Sequence, residues 1–147
     1  MITLETSMTI MNESIEKRTD QLLKIFHEIK QLDEEELSHL YELVRLHNES
    51  LFIVGDLASL ALYERDVAYS ERKRVHAEIV LGETGTVAVK EATAEIAIAE
   101  LRQRESEANS TYKKYDLMYQ SLNHRLIDYR QKRNKLEDEL KLINDRG

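Results

Sequence analysis

Glu36-Leu37-Ser38-His39 is the first place where residue types and spacing suggest chemistry. A glutamate and a histidine three apart point inward together from a helix, as in carboxylate-bridged di-iron bundles. That site needs the motif twice with two further carboxylates, and His27, His47, His76 and His124 have no glutamate three residues before them. The plainer reading is a first-turn acid beside a surface histidine. His76-Ala77-Glu78 has the His-x-Glu half of a zinc deaminase, but a chain without cysteine cannot supply the paired-cysteine half. Gly82 and Gly85 are not followed by the lysine of a phosphate-cradling loop, and no serine or histidine stands with a partner that would make it a nucleophile. The expectation is a chain with no catalytic residues, no metal site and no cofactor, one that works by contact rather than by turnover.

A second constellation is a basic stretch interleaved with aromatics. Lys113, Lys114, Arg125, Arg130, Lys132 and Arg133 run among Tyr112, Tyr115, Tyr119 and Tyr129. Cations can neutralise phosphates and tyrosines can stack on unpaired bases. The same tyrosines, however, lie on a helical seam. Val87, Ala94, Leu101, Ala108, Tyr115, Leu122, Tyr129, Leu136 and Ile143 fall seven residues apart, and Ile98, Tyr112, Tyr119, Leu126 and Leu140 form a second row offset by four. Two such rows are the d and a positions of a left-handed coiled coil. The seam therefore predicts that Tyr112, Tyr115, Tyr119, Leu122, Leu126, Tyr129, Leu136 and Leu140 pack against a helix or a partner. Nucleic-acid contact through the cations is the minor reading. The acidic cluster Asp33 to Glu36, with Glu42 and Glu49, can mimic a phosphate backbone, although helix capping explains it more simply.

The elements that carry these rows follow from composition. One residue in three is charged, there is no proline, and only four glycines occur in 147 residues. Proline and glycine are the residues that most disfavour a helix interior, so the chain is free to be helical throughout. The fold expected is all-α: an elongated helical bundle with a long antiparallel coiled-coil hairpin. Residues 1–11 lack a period and read as a flexible tail. Residues 12–55 read as an N-terminal helical hairpin. Its first helix, capped by Asn12 or Ser14, carries Ile15, Leu22, Ile25, Phe26 and Ile29. Its second, capped by Asp33 with Glu36 as a capping box, buries Leu37, Leu40, Tyr41, Val44 and Leu51. Gly55-Asp56 is read as a break. Residues 56–147 then form the long hairpin, with its turn at 82–86 and Thr84 or Thr86 capping the last helix. The weak helix formers Asn109-Ser110-Thr111 are a possible kink.

Lengths and charge constrain the assembly. A last helix over 86–145 would run roughly 90 Å, against about 39 Å for residues 56–81, so about 50 Å of tyrosine-rich seam needs another cover. Residues 1–60 carry net −7 and residues 101–147 net +3, so the two ends attract. The expectation is that the first helices cover part of the seam and a second copy covers the rest, with a dimer favoured. The longest apolar runs, Leu51 to Val54 and Ile96 to Ala99, are too short to cross a bilayer, and MITLETSMTIMNES lacks a signal-peptide pattern. These features read as a cytoplasmic protein without membrane contact.

The stretch ERKRVHAE, then GETGTV, then KEATAEIAIAELRQRESEA followed by Tyr112, resembles small helical coiled-coil proteins of bacteriophages and prophages found near recombination genes. The resemblance spans roughly residues 60–135 and transfers no site residues. It implies a phage-type accessory protein in the host cytoplasm that contacts proteins of DNA replication or recombination. The alternative is a phage-encoded inhibitor of a host enzyme or anti-phage defence complex.

Overall fold

A computed structural model describes residues 3–147 and is all-α, with helices α1 (Leu4–Lys30), α2 (Leu37–Gly82) and α3 (Val87–Arg146) and no strand among the described residues. The contacts divide the chain into two compact units. Unit 1 comprises Met1–Leu57 with Tyr115–Gly147, and unit 2 comprises Ala58–Lys114.

Helix α1 starts at Leu4 rather than near Glu13. The expected tail over 1–11 is therefore helical from Leu4 onward, and residues 1–2 lie outside the described residues. Thr3 is the cap in place of Asn12 or Ser14: it has extended backbone, and its Oγ1 accepts the amide of Thr6 at 3.1 Å. A threonine oxygen there satisfies one of the amides that a helix start leaves unpaired, so a good cap extends the helix beyond its apolar stripe.

The link between α1 and α2 is tight. Asp33 does not cap α2; its Oδ1 accepts the amide of Glu35 at 3.0 Å, while Glu36 N–H donates to the Asp33 carbonyl at 3.2 Å. The helix begins at Leu37. His39 closes the turn from inside α2, its Nδ1 accepting the Asp33 amide at 2.9 Å. Local aspartate bonds of this kind compete with a helix start.

Helix α2 runs through Gly55-Asp56 without the expected break. Glycine costs about 1 kcal/mol in a helix. Val54 and Leu57 on either side are almost fully buried, and burying each contributes about 1.5–3 kcal/mol, so packing outweighs the local cost. In unit 1, α2 shares one core with α1 and α3 and is buried on more than one face. Leu43, Leu46, His47, Ser50 and Val54 join Leu40, Val44 and Leu51 of the expected stripe, whereas Tyr41 is half exposed, at 50%. Leu22 and Ile25 of α1 and Leu122 and Leu126 of α3 complete this core, with Ile15, Phe26, Ile29 and Tyr115 packed against it.

In unit 2 the two helices are antiparallel. Along α2, Arg65, Arg72 and His76 meet Asn109, Glu105 and Glu91 of α3 in descending order. The small residues Ala61, Ala68, Ala94 and Ala108 are buried with Ile98. The turn lies where expected: α2 ends at Gly82, Gly85 adopts φ 119°, and Thr86 Oγ1 accepts the Val89 amide at 3.3 Å. That φ belongs to the region glycine occupies without steric cost. Helix α3 is unbroken through Asn109-Ser110-Thr111. Thr111 donates to the Glu107 carbonyl at 3.0 Å and Asn109 accepts from Arg65 at 3.3 Å, so both polar side chains are occupied without ending the helix. No described helix is long and apolar enough to cross a membrane.

Candidate contact surface on the third helix

The seam residues separate by environment. In unit 1, Leu122 and Leu126 are buried in the core, and Tyr115 and Tyr129 pack against it. Tyr119 is 40% exposed, with one ring edge facing α2 at Gly55, where an added Cβ would sit 3.9 Å from the ring. Leu136 is half-buried. Beyond it both rows of the seam emerge into solvent: Leu140 is 41% exposed and Ile143 65%. In unit 2, Tyr112 lies beneath Arg65, whose guanidinium carbon is 5.8 Å from the ring centre.

The tyrosines are thus occupied in helix packing. Tyr129 is the most elaborately held. Its hydroxyl donates to Glu34 at 3.1 Å, and its ring meets the His47 ring edge-on with centroids 5.0 Å apart. Burial and the Glu34 carboxylate raise the phenol above its ordinary 10.0. A half-buried phenolate facing a carboxylate is disfavoured, so the side chain stays a neutral donor.

The six candidate cations divide in the same way. Lys132 reaches Glu35 at 2.8 Å and Glu34 at 3.5 Å, and these bonds raise its pKa. Arg130 donates to Asn48 at 3.3 Å. Arg133 lies over Tyr41, its guanidinium carbon 5.2 Å from the ring centre, with its Nε buried. Lys113, Lys114 and Arg125 are exposed. Half of the basic stretch thus fastens α3 to α2 and to the link before it. The acidic cluster is drawn into the same fastening through Glu34 and Glu35, while Glu42 and Glu49 grip Arg45 at 2.8 and 2.7 Å.

Helix α2 holds polar groups that the periodicity did not single out. His47 and Ser50 are fully buried. Ser50 donates to the Leu46 carbonyl at 2.8 Å, and His47 Nδ1 lies 2.7 Å from the Leu43 carbonyl, which fixes the proton on Nδ1. Burial lowers the His47 pKa below 6.5, the Leu43 bond opposes that, and the Arg125 charge adds to the lowering. His47 and Ser50 both stand in the mostly polar stretch Arg45 to Ser50, which ordinarily marks a solvent face.

His39 Nε2 lies 3.3 Å from the Glu36 carboxylate, beside the turn that its Nδ1 closes. His76, Glu91 and Glu95 can bring ligand atoms within 4.8 Å of one another. All three already have partners: His76 bonds Glu91 at 3.0 Å and Glu95 bonds Arg102 at 2.9 Å. Both groups read as surface polar contacts.

No protein-family model, curated protein or solved structure matches this chain.

Helix α3 carries an apolar seam that is covered at Leu122 and Leu126 and exposed at Leu140 and Ile143 in its last turns.

Proposed function

We propose that this chain is a non-enzymatic contact protein that self-associates through the last turns of α3. The observation that carries this reading is the row from Leu122 and Leu126, which are buried, to Leu140 and Ile143, which are not. Leu142 beside them is also exposed. A seam that continues at the spacing of seven past its cover favours a second helix, and a second copy supplies one of matching period. Glu137, Asp138 and Glu139 stand with Lys135 and Lys141 around that row, charges of both signs that can set the register of two copies.

The setting follows from the resemblance to phage helical proteins: an accessory protein that contacts replication or recombination proteins in the host cytoplasm, with its α2–α3 pair acting as a coiled-coil hairpin. The engaged state of Lys132, Arg130 and Arg133 favours protein over nucleic acid as the partner. An affinity pull-down from infected cells tests the setting. Recovery of phage recombination proteins, lost with Leu140→Glu, supports it; recovery of a single host defence protein instead contradicts it.

A further inference from the structure

Unit 1 contains a cleft that the contact reading does not use. It has a volume of about 760 Å³ and opens between α1 and α3, with His47 of α2 in its wall. That size lies within the range of small-molecule sites. Its apolar lining includes Leu23, Phe26, Leu117 and Met118. Leu23 and Leu117 are both strongly exposed, so the cleft brings together apolar surface that water would otherwise cover.

Its charge is one-sided. Lys30 and Arg125 line it together with His27, and no aspartate or glutamate is among the described lining residues. This contrasts with a chain of net charge −7. His47 stands in the wall as a neutral ring: its Nδ1 donates to the Leu43 carbonyl and burial lowers its pKa, so the cleft's fixed charges are the two cations.

We propose that this cleft binds an apolar carboxylic acid, with its hydrocarbon chain between Leu23 and Leu117 and its head group toward Lys30 and Arg125. The carboxylate charge answers both cations. An apolar amine would instead face two like charges.

Decanoate, kept below its micelle concentration, is the probe, and decyltrimethylammonium is its oppositely charged control. Methyl NMR of the full chain reads Leu23, Leu117 and Met118. Decanoate is expected to shift these methyls saturably and to bind at least tenfold more tightly than the ammonium. Arg125→Glu is expected to weaken it at least tenfold with helicity retained. Lys30→Glu, also at an exposed position, gives a second reading should the first variant fail to fold. The absence of saturable shifts, equal affinity for the two amphiphiles, or undiminished binding by a folded variant would each overturn the proposal.

Discussion

The His47 ring stands edge-on to the Tyr129 ring, with centroids 5.0 Å apart and planes at 66°. The pair joins α2 to α3 inside unit 1, and through Tyr129 it reaches Glu34 in the link that precedes α2. One aromatic contact thus connects the core to the acidic turn.

The burial of His47 makes stability depend on pH in a defined sense. The folded His47 pKa is lowered, so below the ordinary 6.5 the unfolded chain binds more protons than the folded one. Stability is full above that value and declines as pH falls from it toward the folded pKa. Urea unfolding at pH 7.5 and pH 5.5 should show a loss that shrinks in His47→Phe. An equal loss in both proteins would place the effect elsewhere.

Tyr129→Phe keeps the ring contact and removes the bond to Glu34. A loss of about 0.5–1.5 kcal/mol is expected, the net value of one hydrogen bond. Leu122→Ala, in the core, should cost about 2–5 kcal/mol. Thermal and urea unfolding of the two variants should rank them in that order.

Glycines at 55 and 85 should respond oppositely. A Cβ at Gly55 would make ordinary contact with the Tyr119 ring at 3.9 Å, so Gly55→Ala is expected to stabilise by about 0.5–1 kcal/mol through helix propensity. Gly85 has φ 119°, so alanine there is strained and should destabilise. Melting temperatures of both variants check the signs.

Much of this architecture was legible from period and punctuation. The spacing of seven located Leu122, Leu126 and Tyr129, and Gly82 to Thr86 marked the turn, because both are local signals that packing reinforces. Gly55 misled because its local cost is overruled by the burial of Val54 and Leu57, which depends on helices distant in sequence. The early start of α1 rests on one threonine oxygen at Thr3, outside any apolar stripe. His47 and Ser50 were missed because each satisfies the carbonyl one turn back, and a polar residue that turns inward in this way leaves no trace in hydrophobic periodicity. The basic stretch looked available for phosphate, but its partners, Glu35, Asn48 and Tyr41, lie some ninety residues earlier in the chain.

Those partners carry a further expectation. With Lys132, Arg130 and Arg133 engaged, anisotropy with single-stranded or duplex DNA should show little binding at physiological salt, and any binding at low salt should vanish steeply as salt rises. Retention at physiological salt, lost on charge reversal of Lys132 and Arg133 with helicity kept, would return the stretch to a nucleic-acid surface.

Sedimentation velocity across micromolar concentrations, on the native chain and on Leu140→Glu/Ile143→Glu, tests the contact reading most directly. The native chain should sediment as a dimer and the doubly substituted chain as a monomer with unchanged helicity. A native chain that stays monomeric throughout, or a variant that dimerises equally well, would contradict self-association through the last turns of α3.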